Sequence, residues 1–184
     1  MPKVSQEHLD ARREQILEGA RRCFAAHGYA GATVARLEQE IGLSRGAIFN
    51  YFEGKQALFV AVAMRVNDRF QRIFVEQGLE EAIRGIAAED PAWLRVLIET
   101  QTRLHHDPEF IRRFEAAAEE VPRVSTRIAE LQQAGVFRDD LPATGVAHFL
   151  GMVVNGLALR VAGEEETDVD STLALLRDAL TPRQ

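Results

Sequence analysis

Cysteine is nearly absent from this 184-residue chain. Cys23 stands alone, which excludes an intramolecular disulfide framework and a metal centre built on several thiolates. We read no apolar run of the length that a membrane-spanning helix needs. The first eight residues, Met1 to His8, lack the apolar segment of a secretory signal. Internal repeats and low-complexity tracts are missing, and no strand-like alternation of apolar and polar residues is sustained. There is also no nucleophile elbow, phosphate loop, zinc-binding HExxH or defensibly spaced carboxylate pair. These absences lead us to expect a soluble, cytoplasmic protein that is not an enzyme and has no membrane partner.

What is present is helix. Hydrophobic residues make up 46% of the chain, enough for a packed core, and their spacing reads as all-α throughout. The first helix is expected over residues 10–27, with Ile16, Ala20, Cys23, Phe24 and His27 on one face and Gly28 closing it as a left-handed cap. Cys23 at that spacing reads as a buried structural thiol. A short helix follows at 34–41 with Thr33 as its N-cap, then the turn Gly42-Leu43-Ser44 and a helix at 45–52. A long helix is expected at 55–77 after Gly54. Further helices fit 80–88, 92–105, 108–119, 122–134, 142–162 and 168–180.

Two short helices across a three-residue turn containing Gly42 have the spacing of a helix-turn-helix. Leu37, Ile41, Leu43, Ile48 and Phe52 would form the small core that fixes their angle. That leaves Arg45, Gly46, Ala47, Phe49, Asn50 and Tyr51 outward on the second helix. Small residues at its start let the backbone sink into a major groove, where base edges are distinguishable. Arg45 suits a guanine, and Asn50 suits a base or a phosphate. Tyr51 and Lys55 are placed for phosphate contacts, which set position and not sequence preference, as is Thr33 at a helix N-terminus; Ser44, placed to cap the second helix, is counted with the DNA-binding residues. The charge pattern agrees. The net charge is -6, yet residues 1–55 carry Lys3, Arg12, Arg13, Arg21, Arg22, Arg36, Arg45 and Lys55 against seven acidic residues. Arg12 and Arg13 admit two readings, a solvated helix face or, with Lys3, an arm that reaches DNA.

The run Phe24-Ala25-Ala26-His27-Gly28-Tyr29, then Thr33, then Ser44 through Leu58 (SRGAIFNYFEGKQAL) resembles the DNA-binding signature of the TetR family of repressors. Phe49 departs from it, since many members have Tyr there, and the departure removes a hydroxyl contact to phosphate. Leu17 through Phe24, Gly31-Ala32-Thr33-Val34, Ser44 through Phe49 and, more loosely, His106-Asp107-Pro108-Glu109-Phe110 are similar to the actinobacterial aconitase-repressor subgroup. The resemblance implies a DNA-binding domain at 1–54 and a helical ligand-binding and dimerisation domain at 55–184. It also implies a homodimer on a palindromic double-stranded operator, held near the nucleoid. The subgroup implies citrate with magnesium (Mg2+) as effector and no obligatory cofactor. The rival is a helical protein-interaction module in which the helix-turn-helix is incidental.

In the second region Val146, Phe149, Leu150, Val153, Val154, Leu157 and Val161 give one helix a broad apolar face, and Val169, Leu173, Leu176 and Leu180 stripe the next. Phe149, Val153, Leu157, Leu173 and Leu176 are the expected dimerisation residues. Gly145, Gly151 and Gly156 are costly inside a helix and suit a close helix approach. For the effector, Arg65, Arg69, Trp93, Arg103 and Arg127 are the candidates, because planar guanidinium forks suit carboxylates if several converge. Each Arg alone reads as snorkelling to solvent. His105, His106 and Asp107 could hold a metal, but adjacent helical residues diverge, and a helix-end role is favoured. Glu164-Glu165-Glu166 reads as a solvated loop.

Overall fold

The computed structural model describes residues 6–104, 106–118 and 123–182. Lys3, His105, Glu119 and Pro122 fall outside them. The described residues form ten helices and no strand. They are α1 Gln6–Gly31, α2 Val34–Ile41, α3 Arg45–Phe49, α4 Gly54–Gln77, α5 Leu79–Ala87, α6 Pro91–Leu104, α7 Pro108–Ala118, α8 Arg123–Gln133, α9 Ala143–Ala162 and α10 Val169–Leu180. The all-α expectation holds, with helix ends shifted by a few residues. Gly28, at φ 68 and ψ 168, ends the first helical segment as expected, and a short segment beyond this kink carries α1 on to Gly31. His27, expected on the apolar face, is exposed. Arg12 and Arg13 lie within α1, where Arg12 donates to Gln15 and Arg13 stacks 5.6 Å over the Phe52 ring. Both belong to a helix face.

The chain separates into two compact units, residues 1–66 with 95–118, and residues 67–94 with 119–184. In the first unit, α1 presents Ile16, Leu17, Ala20, Cys23 and Phe24, all buried, to α2 and its neighbours. Phe24, Tyr29 and Phe59 make an aromatic trio. Phe59 meets the other two edge-on, at 5.2 Å in each case. Cys23 is 1% exposed in this core, and burial first, then the charge of Glu40, pushes its thiol up. Helices α1 and α2 approach so closely that a Cβ on Gly19 would lie 2.8 Å from Ile41 Cγ1 and 3.0 Å from Ile41 Cα.

The second unit has its own core, built from Phe74, Ala82, Ile83, Ile86, Ile128, Val146, Leu150, Leu157, Leu173, Leu176 and Leu180. Arg84 bridges Glu80 and Asp170, and Arg177 also pairs with Glu80, so α5 and α10 are tied by charge above the apolar contact. After α8, Arg138 donates its backbone N–H to Leu180 O at 2.7 Å. Trp93 is fully buried. By length and composition alone α9 is long and apolar enough to cross a membrane, with a mean hydropathy of 1.4. This corrects our reading of the sequence, in which Gly145, His148, Gly151, Asn155, Gly156 and Arg160 break up the apolar impression. Val146, Leu150 and Leu157 fasten α9 into the unit's core.

Gly19→Ala tests the close packing of α1 on α2. Alanine gains about 0.8–1.0 kcal/mol of helix propensity. Overpacking against Ile41 backbone costs about 1–3 kcal/mol. Net destabilisation in urea unfolding is expected, and a more stable variant would contradict the close approach.

Candidate nucleic-acid interface

The helix-turn-helix is assembled by local chemistry. Thr33 sits at φ -68, ψ 162, and its hydroxyl accepts from Arg36 N–H at 3.4 Å, which starts α2. Gly42 ends α2 in the left-handed region at φ 75, ψ 27, and donates its N–H to Glu38 O at 2.9 Å. A side chain with Cβ is strained there, so the turn needs glycine. Ser44 caps α3, its Oγ accepting from Ala47 N–H at 3.4 Å. Beneath α3, Leu37 and Ile48 are fully buried, with Ile41 and Phe52 nearly so. Leu43 is only half-buried.

Above that core, Thr33, Ser44, Arg45, Gly46 and Asn50 are exposed, while Ala47, Phe49 and Tyr51 are half-buried. Among the described residues the Arg45 guanidinium has no ion-pair partner. By contrast Arg22 pairs with Glu40 at 2.8 Å, and Arg36 donates to Gly31 O at 2.8 Å. The helix α3 is shorter than the sequence suggests. It ends at Phe49, and Asn50 is its C-cap at φ -72, ψ -20. Asn50 and Tyr51 therefore leave from the last turn, because the chain must reverse into α4 within the span to Gly54. Lys55 is half-buried, donates to Tyr29 O at 2.9 Å and lies 4.6 Å over the Tyr29 ring. Burial pushes its ammonium down from the usual lysine range.

Several residues that hold this surface in place were not singled out from the sequence. Glu38 accepts the Arg45 backbone N–H at 2.6 Å. Gln15 donates to Ile41 O at 3.1 Å. Glu53, just after α3, pairs with Arg113 at 3.1 Å, and Gln56 donates to Asp107 at 3.0 Å. The one sequence signal was Asp107 ahead of Pro108, a helix-start pattern. Asp107 caps α7 by accepting from Glu109 and Phe110 N–H, which fits the helix-end role. The Phe110 bond first, opposed next by burial and then reinforced by Glu109 and Gln56, holds its carboxyl below the usual range.

The five effector candidates fall in different settings. Arg65 binds Glu14 at 2.6 Å and Glu18 at 3.1 Å. Arg69 pairs with Glu89 and covers the Phe70 ring at 4.9 Å. Arg127 pairs with Glu130 at 3.0 Å, Arg103 is exposed on α6, and Trp93 is closed core. A carboxylate ligand would have to displace an acidic partner from three of them. Among the described residues no group of three His, Cys, Asp or Glu could hold a metal ion. Of the dimerisation candidates, Leu157, Leu173 and Leu176 are buried within the chain's own core, Val153 is half-buried and Phe149 is exposed. The outward apolar residues are Phe149, Met152 and Leu159 on α9 with Leu175 on α10.

The transcriptional repressor Rv1474c of Mycobacterium tuberculosis is 43% identical over 184 residues, covering 98% of this chain and 98% of that protein. The family model for bacterial regulatory proteins of the tetR family matches residues 16–62, from the first core residue of α1 into α4. The chain belongs to the TetR family. The transcriptional repressor AcnR of Corynebacterium diphtheriae is 39% identical over 188 residues, covering 100% of this chain and 99% of that protein. The subgroup resemblance is borne out by these relatives. Salmonella enterica GusR shares the fold at a TM-score of 0.73 and 20% identity, over 97% of this chain and 99% of that chain. This TetR-family member is a DNA-binding transcriptional repressor and not an enzyme.

Glu18 is held by two arginines, Arg21 at 3.3 Å and Arg65 at 3.1 Å. Burial raises its carboxyl, but hydrogen bonds from Arg65 and Arg21 and their charges outweigh it and hold it below the usual carboxylate range. A lowered folded value stabilises above the unfolded value and is lost as pH falls through the folded one. Unfolding followed from pH 6 to pH 3 should show a shallower acid limb in Glu18→Gln than in the parent. Superimposable limbs would remove Glu18 from the acid transition.

Proposed function

We propose that the repressor binds a palindromic operator as a homodimer, with α3 of each copy in a major groove and a tricarboxylate as effector. The observation that carries the first part is the outward face of α3: Arg45, Gly46 and Asn50 exposed above a fully buried Ile48. Arg45 is the base-reading residue, with a bidentate fork for guanine. Asn50 reads a base from the last turn. Gly46, whose missing Cβ would meet nothing within 4 Å, lets the backbone enter the groove, with Ala47 and Phe49 beside it. Thr33, Ser44 and Tyr51 take phosphates. Lys55 reaches a phosphate only by releasing Tyr29 O, so its contact is the weaker one.

The outward apolar stripe of α9 and α10 supports the dimer. Phe149, Met152, Leu159 and Leu175 are between 39% and 70% exposed. Gly151 and Gly156 have open space where a Cβ would stand, so nothing in the chain itself offsets their helix cost. A second copy laid on this face covers the stripe, and a two-fold pair matches a palindrome. On this reading α9 meets a partner helix and not a membrane, and the protein acts at the nucleoid in the cytoplasm. Citrate as the effector rests on the resemblance of the chain to the aconitase-repressor subgroup. Magnesium would arrive as the citrate chelate, its hard-oxygen ligands coming largely from citrate and water. Arg65, Arg69, Arg103 and Arg127, with Trp93, remain the proposed effector-responsive residues.

Selection of bound duplexes from a random pool by the purified protein should return a two-fold palindrome. Recovery of nothing above competitor would remove specific operator binding. Arg45→Ala should weaken binding to the selected duplex by about 1–3 kcal/mol while the dimer persists. Met152→Asp should shift the protein to monomer in sedimentation, and an unchanged dimer would move the interface elsewhere. Citrate with magnesium, against chloride of equal ionic strength, should change operator affinity about 5- to 150-fold. No change would exclude this effector.

A further inference from the structure

With only five residues, α3 is too short to hold its own helical form in water. Its position must come from what grips it. Ile48 and Phe52 fasten one side, and two bonds fasten its start. The Ser44 bond to Ala47 N–H is long at 3.4 Å, near the limit of a useful hydrogen bond. The other runs from α2: Glu38 Oε1 accepts the Arg45 N–H at 2.6 Å, a short charge-assisted contact at the positive end of the helix. The backbone carbonyl of Glu38 also accepts the Gly42 N–H that ends α2. One residue thus holds both sides of the turn, and the amide it grips belongs to Arg45.

We infer that Glu38 is a positioning residue for operator discrimination: it fixes the Arg45 backbone so that the guanidinium meets one base in one geometry. The inference rests on the reading of α3 as the recognition helix. Phosphate contacts tolerate a small shift of α3, because they are many and spread around the head. A bidentate contact to a base edge does not. Loss of Glu38 therefore lowers selectivity more than it lowers general DNA affinity. Glutamine keeps an acceptor oxygen at the same reach, whereas alanine keeps none.

The test compares affinity for the duplex selected by the parent protein with affinity for a scrambled duplex of equal length at one fixed salt concentration. E38A should lose about fivefold on the selected duplex and hold its affinity for the scrambled one. E38Q should keep the parent's discrimination within about twofold. Helical circular dichroism establishes that each variant is folded. Should E38A not fold, E38D, whose carboxylate falls short of the amide, takes its place with the same expected loss. Parental discrimination in E38A, or equal damage in E38Q and E38A, overturns the inference. R45A separates the two levels: if it leaves discrimination unchanged, the recognition-helix reading itself fails and takes the inference with it.

Discussion

The head of this repressor depends on one steric fact, the contact of α1 with α2 where Gly19 lies against the Ile41 backbone. Everything downstream is referred to α2. Gly42 turns from its end, Glu38 reaches from its last turns to α3, and Ile41 O is held by Gln15 from α1. A five-residue helix cannot orient itself, so its direction comes from the helix before it and the core below it. The buried residues Leu37 and Ile48 supply the energy, while the small residue at Gly19 supplies the geometry.

Helical periodicity carried most of the fold, because a 3.6-residue pattern survives even when helix ends are uncertain. The turn at Gly42 was legible for a different reason: few residues adopt its dihedral angles, and glycine announces them. The end of α3 was not legible. Asn50, Tyr51 and Phe52 have acceptable helix propensity, and only the reversal into α4 decides that they leave the helix. In the second unit the sequence offered one broad apolar face on α9 and a stripe on α10. It could not tell which leucines served the chain's own core. Leu157, Leu173 and Leu176 went inward, and Met152 and Leu175, which periodicity alone ranks no higher, went outward.

Charge shows the same division. Counting cations along residues 1–55 gave a near-neutral head, but the count does not show which cations are already engaged. Arg22, Arg36 and Lys55 have partners within the head, and Arg65 is held by Glu14 and Glu18. Such pairing leaves the exposed Arg45 distinct from its neighbours. Pairing that depends on tertiary contact between residues 18 to 60 positions apart, as for Arg22 with Glu40 or Glu53 with Arg113, leaves no periodic trace in a sequence.

The chain's one thiol has a practical consequence. Cys23 sits in the α1 core at 1% exposure, in the same packed layer as Ile16, Phe24 and Phe59. A thiol reagent can reach it only when that layer opens. Its labelling rate under native conditions is therefore a clock for opening of the head, free of any added probe. Run with and without operator, that clock reads how much DNA slows the opening, which is a direct measure of how firmly the bound head is held closed.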